Sequence, residues 1–273
     1  MAERRRRRTR GGSGAVWMFF LVAAVGVMIF SGWQLFRIYS GYRQGEEEYE
    51  ELASLSAELR EKAYKETGGE TAGSGEEPEV NGGFPNAEAN ARWFAELRTL
   101  NPEIIGWIRI EGTVIDYPVM QTDDNDYYLT HTWQGTENGA GSIFLEAANA
   151  KDFEDYHSLI YGHNMKNGSM FAGLHSYADP SYYGEHSRIY LETPAGSREY
   201  QIFSCHMVEA EDELYQIDFS PGELYTEFVN RLRRLSEYDT GVEVSGEDKV
   251  ITLSTCKGNG ALRYVVHAKL IQN

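Results

Sequence analysis

The feature that most constrains this chain is a series of short runs rich in Val, Ile, Tyr and Phe, which extends from Ile104 to Ile271. Gly, Asn, Asp and Pro separate the runs, and this pattern is typical of β-strands joined by turns. The runs are IIGWIRI, TVIDYPVM, GSIFLE, HSLIYGH, RIYLETP, REYQIFSCHMVEA, KVITLST and RYVVHAKLI. About eight such strands predict a mostly β domain of the α+β class, built as a barrel or a sandwich.

Two helical segments accompany the strands. AEANARWFAELRTL precedes the first run and should end before Pro102, because a proline disfavours helical backbone in the residue before it. SPGELYTEFVNRLRRLSEY lies between the sixth and seventh runs. It predicts an inserted helix with Ser220 as N-cap, Pro221 in the first turn and Glu223 completing a capping box. Its apolar face would carry Leu224, Phe228, Leu232 and Leu235.

Residues 15–36 form an apolar run without charge between Arg10 and Arg37. As a helix this run would be about 33 Å long, enough to cross a bilayer. The basic residues of segment 1–14 would keep the N-terminus in the cytoplasm, which predicts a single-pass cell-membrane protein with its C-terminal bulk outside. A cleaved signal peptide is the alternative, although its apolar part is usually shorter and no small-residue cleavage site follows Ser31.

Three further segments follow the apolar run. Residues 37–66 predict a juxtamembrane helix or stalk, because one narrow apolar stripe repeats at intervals of three and four on a charged helix. Residues 67–85 combine Gly, Pro, Ser and Glu with almost no apolar residue and predict a flexible linker. The folded domain would occupy residues 86–273. The stripe consists of Tyr49, Leu52, Leu55, Leu59 and Ala63.

The charge of the outer region excludes some partners. Of the 25 basic and 42 acidic residues, eight basic and one acidic lie in residues 1–45, so the remainder carries 17 basic and 41 acidic residues and a net charge of −24. A surface this acidic argues against nucleic acid or anionic lipid as a ligand of the outer domain.

The chain has two cysteines, Cys205 and Cys256, so it is not a scaffold built on disulfides. Cys205 lies within an alternating run and is expected to be a buried apolar residue. Cys256 directly follows the seventh run, and the segment KGNGAL separates it from Arg263 in the eighth. If these two runs form an antiparallel hairpin, Cys256 and Arg263 lie opposite each other with Cα atoms about 5 Å apart.

This pair suggests acyl transfer. A thiolate near a fixed positive charge is a good nucleophile, and an arginine can stabilise an oxyanion. A packed cysteine beside a surface arginine fits the same spacing. Acyl transfer also needs a proton donor, and among seven histidines His163 stands out because it ends an apolar strand before a polar turn. No His or Cys pair has the short separation of metal ligands.

TLSTC at residues 252–256 with Arg263 downstream, and YGHNM around His163, resemble the signatures of the sortases. NPEIIGWIRIEGTVIDYPVMQTDDNDYYL, GSIFLE and the helix after Pro221 are similar to class B of that family, over about residues 93–273. The resemblance implies a closed eight-stranded β-barrel with an N-terminal helix and a helix inserted between strands 6 and 7. It also implies an enzyme that is anchored at its N-terminus and faces outward.

The resemblance further implies a mechanism. Cys256 would attack a threonine carbonyl in a C-terminal sorting signal and form a thioester, His163 would move the protons, and Arg263 would stabilise the oxyanion. The acyl group would pass to an amine of cell-wall peptidoglycan or of another surface protein. Candidate neighbours of the site are Asn164, Ser254 and Thr255, and no cofactor or metal is required.

Two alternatives remain open. A cysteine endopeptidase that hydrolyses the same signal would use the same residues, because water can replace the amine. A non-catalytic anchored surface module would leave Cys256 merely packed.

Overall fold

The computed structural model describes residues 13–68, 87–257 and 261–272. The predicted basic tail over 1–14 and the predicted linker over 67–85 fall almost entirely outside these residues. The chain divides into two compact units, with the boundary after Arg43.

All eight predicted runs form strands, and the strands close into a barrel in the order β1-β2-β3-β4-β7-β8-β6-β5. Closure leaves no strand edge unpaired. The pairs β2–β3 and β4–β7 are parallel, and the other neighbours are antiparallel. The strands are β1 Ile104–Arg109, β2 Asp116–Met120, β3 Ile143–Leu145, β4 His157–Gly162, β5 Arg188–Thr193, β6 Gly196–Glu209, β7 Val250–Lys257 and β8 Leu262–Gln272.

The α-helices of the described chain are α1 Ser13–Glu66, α2 Ala87–Leu100, α3 Tyr127–Thr130, α4 Pro180–Glu185 and α5 Glu223–Arg234. Helix α2 ends before Pro102, as the sequence predicts. Short 3₁₀ segments cover Phe171–Ala178 and Glu213–Tyr215. Within the described residues, one helix is long and apolar enough to cross a membrane, with a mean hydropathy of 2.0 in its most apolar window, so α1 is a candidate span by length and composition.

The part of α1 from Gln44 to Glu66 belongs to the same compact unit as the barrel. Three members of the predicted stripe are buried there, with Tyr49 at 8%, Leu52 at 0% and Ala63 at 4% exposure, whereas Leu55 and Leu59 are half-buried. Arg60 reaches the barrel, where its Nη2 lies 3.7 Å from Glu192 Oε1. The segment expected to be a stalk is therefore packed on the folded domain, and we call residues 44–66 the docking segment.

Helix α5 lies between β6 and β7, as predicted, but its start and its buried face differ from the prediction. Gly222 is the N-cap, and its carbonyl accepts the first helical hydrogen bond, from Thr226 N at 3.0 Å. Ser220 and Pro221 therefore precede the helix, and the predicted capping box does not form. Leu224 is 79% exposed and Leu235 42%, because the face that meets the barrel is Tyr225, Phe228, Val229 and Leu232.

A chain of buried polar groups lies beneath α5. The carbonyl of Gln216 can only accept, so His157 donates to it from Nδ1 at 2.8 Å and its Nε2 is free to accept from Thr252 Oγ1 at 2.7 Å. Thr252 Oγ1 in turn accepts from His267 Nδ1 at 2.7 Å. This order of donors holds with a neutral His157. Burial lowers the pKa of His157 to about 4, and burial likewise lowers that of His206 to about 4.

The docking segment yields a stability prediction. Leu52→Ala should lower the free energy of unfolding of the barrel unit by about 2–5 kcal/mol, because the lost side chain leaves a cavity against the barrel. Urea unfolding followed by tryptophan fluorescence measures this. The matched control is Leu100→Ala on α2, where the side chain is 43% exposed and the cost should be within about 0.5 kcal/mol. Equal, small effects of both variants would mean that residues 44–66 do not contribute to the fold.

The buried histidines predict a pH dependence of stability. The folded protein keeps His157 and His206 neutral down to about pH 4, whereas unfolded histidine titrates near 6.5, so the unfolded chain binds more protons between these values. Stability should be complete above pH 6.5 and fall as the pH drops from 6.5 toward 4. Urea unfolding at a series of pH values measures the slope, which His157→Gln should reduce. An unchanged slope in this variant would assign the acid sensitivity to other groups.

Candidate active site

The site is built on three neighbouring strands, β4, β7 and β8. The last residue pair of the parallel β4–β7 ladder is Gly162 with Thr255. His163 follows the end of β4 and Cys256 is the next residue of β7, so one further step along both chains would place these two positions side by side, at about the 4.8 Å spacing of adjacent strands. On the other side of β7, Cys256 is paired with Arg263 of β8. The hairpin pairing predicted for Cys256 and Arg263 is therefore confirmed, and His163 extends the row.

The three positions also share one face of the barrel wall. Strand positions two apart lie on the same face, so position 256 shares a face with Ser254 and position 163 with Tyr161. The side chain of Cys256 lies outside the described part of the structure, and its backbone defines the row.

His163 is half-buried and its ring is oriented by a backbone carbonyl. The Leu129 carbonyl can only accept, so His163 Nε2 carries a hydrogen and donates to it at 2.7 Å. The exchangeable proton of the imidazole is therefore the one on Nδ1. Gly141 lies against the same edge of the ring, since a Cβ added there would be 3.1 Å from His163 Cδ2 and 2.9 Å from the Leu129 carbonyl oxygen.

The residues two positions before His163 and Cys256 on the same face, Tyr161 and Ser254, carry polar side chains. Tyr161 donates to Glu146 Oε2 at 2.9 Å, and its ring stacks on Tyr215 of the β6–β7 connection with centroids 6.3 Å apart. Tyr215 Oη and Ser254 Oγ are 3.0 Å apart. Burial and Glu146 raise the pKa of Tyr161, while the charge of Arg263 acts in the opposite direction. The β6–β7 connection thus forms a wall beside the row, and Arg263 lies close enough to Tyr161 to influence it.

The other two candidates from the sequence are placed differently. Thr255 alternates to the opposite face of β7, where its Oγ1 is buried and has no hydrogen-bond partner among the described residues. Asn164 is exposed and its Nδ2 lies 2.9 Å from His175 Nε2. Of the three expected neighbours, Ser254 shares the face of the row, whereas Thr255 does not and Asn164 contacts His175.

Several groups beside the row were not found by sequence reasoning. The Leu129 carbonyl and Tyr215 come from segments far along the chain from the signature motifs, and a carbonyl has no residue type to signal it. Tyr161 is different, because its position two residues before His163 on a strand implied a shared face. Within the described residues, no group of three or more His, Cys, Asp or Glu side chains could hold a metal ion.

Comparisons with known proteins point to one family. The family model described as "Sortase domain" matches residues 108–271. A sortase B of Listeria monocytogenes is 37% identical over 179 residues, which are 64% of this chain and 73% of that protein. A Staphylococcus aureus sortase B–substrate complex matches with a TM-score of 0.70 and 27% identity, over 84% of this chain and 97% of that one. A sortase B complexed with triglycine matches with the same TM-score and identity, over 84% and 98%.

The two cysteines should differ in reactivity toward a thiol probe. Cys205 is fully buried, and burial raises the pKa of its thiol to about 12, so it is almost never a thiolate at neutral pH. If Cys256 is an activated nucleophile, limiting iodoacetamide at pH 7.5 should alkylate it on the order of a hundredfold faster than Cys205. Peptide mapping by mass spectrometry identifies the site, with Cys256→Ala as control. Equal inertness of both thiols in the folded chain would favour the non-catalytic module.

Proposed function

This chain belongs to the sortase family, and we propose that Cys256 is its nucleophile, His163 its acid and base, and Arg263 its oxyanion-stabilising residue. The enzyme is a sortase transpeptidase, a cysteine enzyme that transfers acyl groups. The assignment of residues to steps is the proposal.

The single observation that supports the assignment is the shared row on β4, β7 and β8. His163 and Cys256 each come directly after the last residue pair of the parallel β4–β7 ladder, Gly162 with Thr255, and Cys256 and Arg263 are direct partners in the antiparallel β7–β8 ladder. Residues at adjacent backbone positions are close enough to act on the same substrate carbonyl, which is the arrangement that nucleophilic acyl transfer needs.

The chemistry then follows in two steps. The Cys256 thiolate attacks the carbonyl carbon, and the tetrahedral oxyanion forms beside the Arg263 guanidinium. His163 gives its Nδ1 proton to the departing amine as the C–N bond breaks, which leaves a thioester on Cys256. An incoming amine gives a proton back to His163 Nδ1, attacks the thioester and releases the Cys256 thiolate. Because Nε2 stays bonded to the Leu129 carbonyl, the ring keeps its orientation in both steps.

Substrate and acceptor follow from the relatives. Sortases act on sorting signals, and one matched sortase B structure contains substrate while another contains triglycine. We propose that this chain cleaves a C-terminal sorting signal after threonine and transfers the protein to an amine of peptidoglycan or of another surface protein. Ser254, on the face of the row and linked to Tyr215, is the expected neighbour best placed to contact bound peptide.

The location follows from α1. We propose that residues 15–36 anchor the enzyme as a single-pass span, with residues 1–14 in the cytoplasm and the catalytic domain over 86–273 outside the cell. The apolar composition of α1 supports the span, and the basic cluster of residues 1–14 supports the orientation.

Product analysis tests the proposal. The full chain in detergent is incubated with triglycine and with peptides of Leu-Pro-x-Thr-Gly, Ser/Pro-Pro-x-Thr-Gly and Asn-Pro-x-Thr-x type. Mass spectrometry should find cleavage after threonine and a triglycine adduct that depends on Cys256. Arg263→Lys should lower kcat about 10²- to 10³-fold, because a lysine presents the oxyanion with a different donor geometry.

The matched control is Arg188→Lys on β5, where the guanidinium pairs with Glu199 at 3.0 Å on the surface of the barrel. This variant should keep full activity. Wild-type activity of Arg263→Lys would remove the oxyanion role of Arg263. Hydrolysis without any adduct would identify an endopeptidase instead of a transpeptidase.

A further inference from the structure

We propose that the docking segment positions the catalytic imidazole, with Tyr49 as the positioning residue that links it to both stretches of chain that hold His163. The inference rests on the proposed role of His163 as acid and base. Tyr49 is 114 residues away in sequence and belongs to no signature motif.

The first stretch, residues 128–142, forms one side of the imidazole site. Leu129 supplies the carbonyl that accepts from His163 Nε2, and Gly141 lies against the ring.

Tyr49 Oη donates to the Gly141 carbonyl at 2.8 Å and lies 2.9 Å from Ser142 Oγ. A φ of +58° and the close approach of the Tyr128 carbonyl, 2.5 Å from any added Cβ, exclude a side chain at Gly141. The phenol therefore fixes the backbone that contacts the ring.

The docking segment contacts this stretch at two more points. Glu48 accepts from Thr132 Oγ1 at 2.5 Å through Oε2, and the Glu48 carbonyl accepts from Trp133 Nε1 at 3.2 Å. Glu48 and Thr132 are buried, so these bonds lie where water does not compete. Together with Tyr49, they hold residues 132–142 to one turn of α1.

The second stretch is the loop 163–170, which begins at the histidine itself. The ring of Tyr49 packs edge-on against Tyr117, with centroids 5.4 Å apart, and Tyr117 Oη accepts from Met170 N at 3.1 Å. Met170 has a φ of 55°, a conformation that a non-glycine residue keeps only when its surroundings hold it. Asn167 Nδ2 also donates to Glu46 Oε1 at 2.7 Å. The loop is thus tied to the docking segment at Asn167 and, through Tyr117, at Met170.

These contacts make Tyr49 the point where both stretches meet. Burial raises the pKa of Tyr49, so the phenol remains a neutral donor to Gly141 throughout the working pH range. Removing its hydroxyl would leave the Tyr117 contact but free the Gly141 carbonyl, so the imidazole would lose orientation without loss of the peptide-binding wall at Tyr215. A defect in proton transfer lowers kcat, whereas substrate binding sets KM.

The experiment uses full-length protein in detergent with a cleaved peptide and triglycine, and rates are divided by the amount of Cys256 that reacts with iodoacetamide. We expect Tyr49→Phe to lower kcat about fivefold to tenfold, with KM for the peptide changed less than about twofold. Ser142→Ala, which removes the second partner of the phenol, should lower kcat in the same direction. Both variants keep the ring packing of Tyr49 and should fold.

The matched control is Tyr225→Phe. Tyr225 is also a buried tyrosine whose hydroxyl donates to backbone carbonyls, those of Tyr156 and Asp248, at 2.6 and 2.7 Å, but it lies at the far end of β4 and β7 from His163. It should lose thermal stability as Tyr49→Phe does and keep its kcat. Equal kcat for Tyr49→Phe and Tyr225→Phe would overturn the inference. His163→Ala separates this from failure of the proposed function, since a fully active His163→Ala would refute the role of His163 itself.

Discussion

The structure depends above all on the backbone hydrogen-bond ladders that place β7 between β4 and β8. The antiparallel ladder pairs position 256 with 263, and the parallel ladder ends at Gly162 with Thr255, so position 163 follows directly after it on the side of position 256. Ladder geometry sets these spacings to about 5 Å with little freedom, because the bonds are buried in a closed barrel. A shift of β7 by one residue would turn Cys256 to the opposite face, so the register of this strand determines whether the site exists.

The β6–β7 connection, which covers part of the barrel wall, also lies beside positions 163, 256 and 263. Helix α5 buries an apolar cluster that includes Phe228 and Val250, and beneath it the chain of His157, Thr252 and His267 satisfies buried polar groups across three strands. The β6–β7 connection that carries α5 also carries Tyr215, which meets Tyr161 and Ser254 beside the site. The insertion is therefore anchored at the start of β4 and β7 and presents a wall near their ends.

The docking segment brings a distant part of the sequence close to His163. The spacing of its apolar stripe predicts an amphipathic helix with one buried face, but it does not identify the surface on which that face packs. The partner is the barrel and the stretch 128–142, which reaches His163 through the Leu129 carbonyl and Gly141. In this arrangement, one turn of α1 contacts both sides of the imidazole site, and the inference about Tyr49 follows from that contact.

Local signals in the sequence were sufficient for much of this protein. Strand runs, the proline after α2, the position of α5 and the hairpin between Cys256 and Arg263 depend on side-chain periodicity and turn residues near each other in the chain, and each is present in the structure. The beginning of α5 was mispredicted, because Gly222 stays outside the helix although the motif around Ser220 fits a cap. The family was accessible from the motifs around Cys256, His163 and Arg263, whereas the catalytic roles of these three residues stay predictions. Only the tertiary structure decided that the ends of β4 and β7 bring the positions of His163 and Cys256 together, that the Leu129 carbonyl orients the imidazole and that residues 44–66 pack on the barrel. These contacts are made between residues far apart in sequence, through strand register and backbone carbonyls. Strand register and carbonyl positions leave no periodic or compositional signal along the chain.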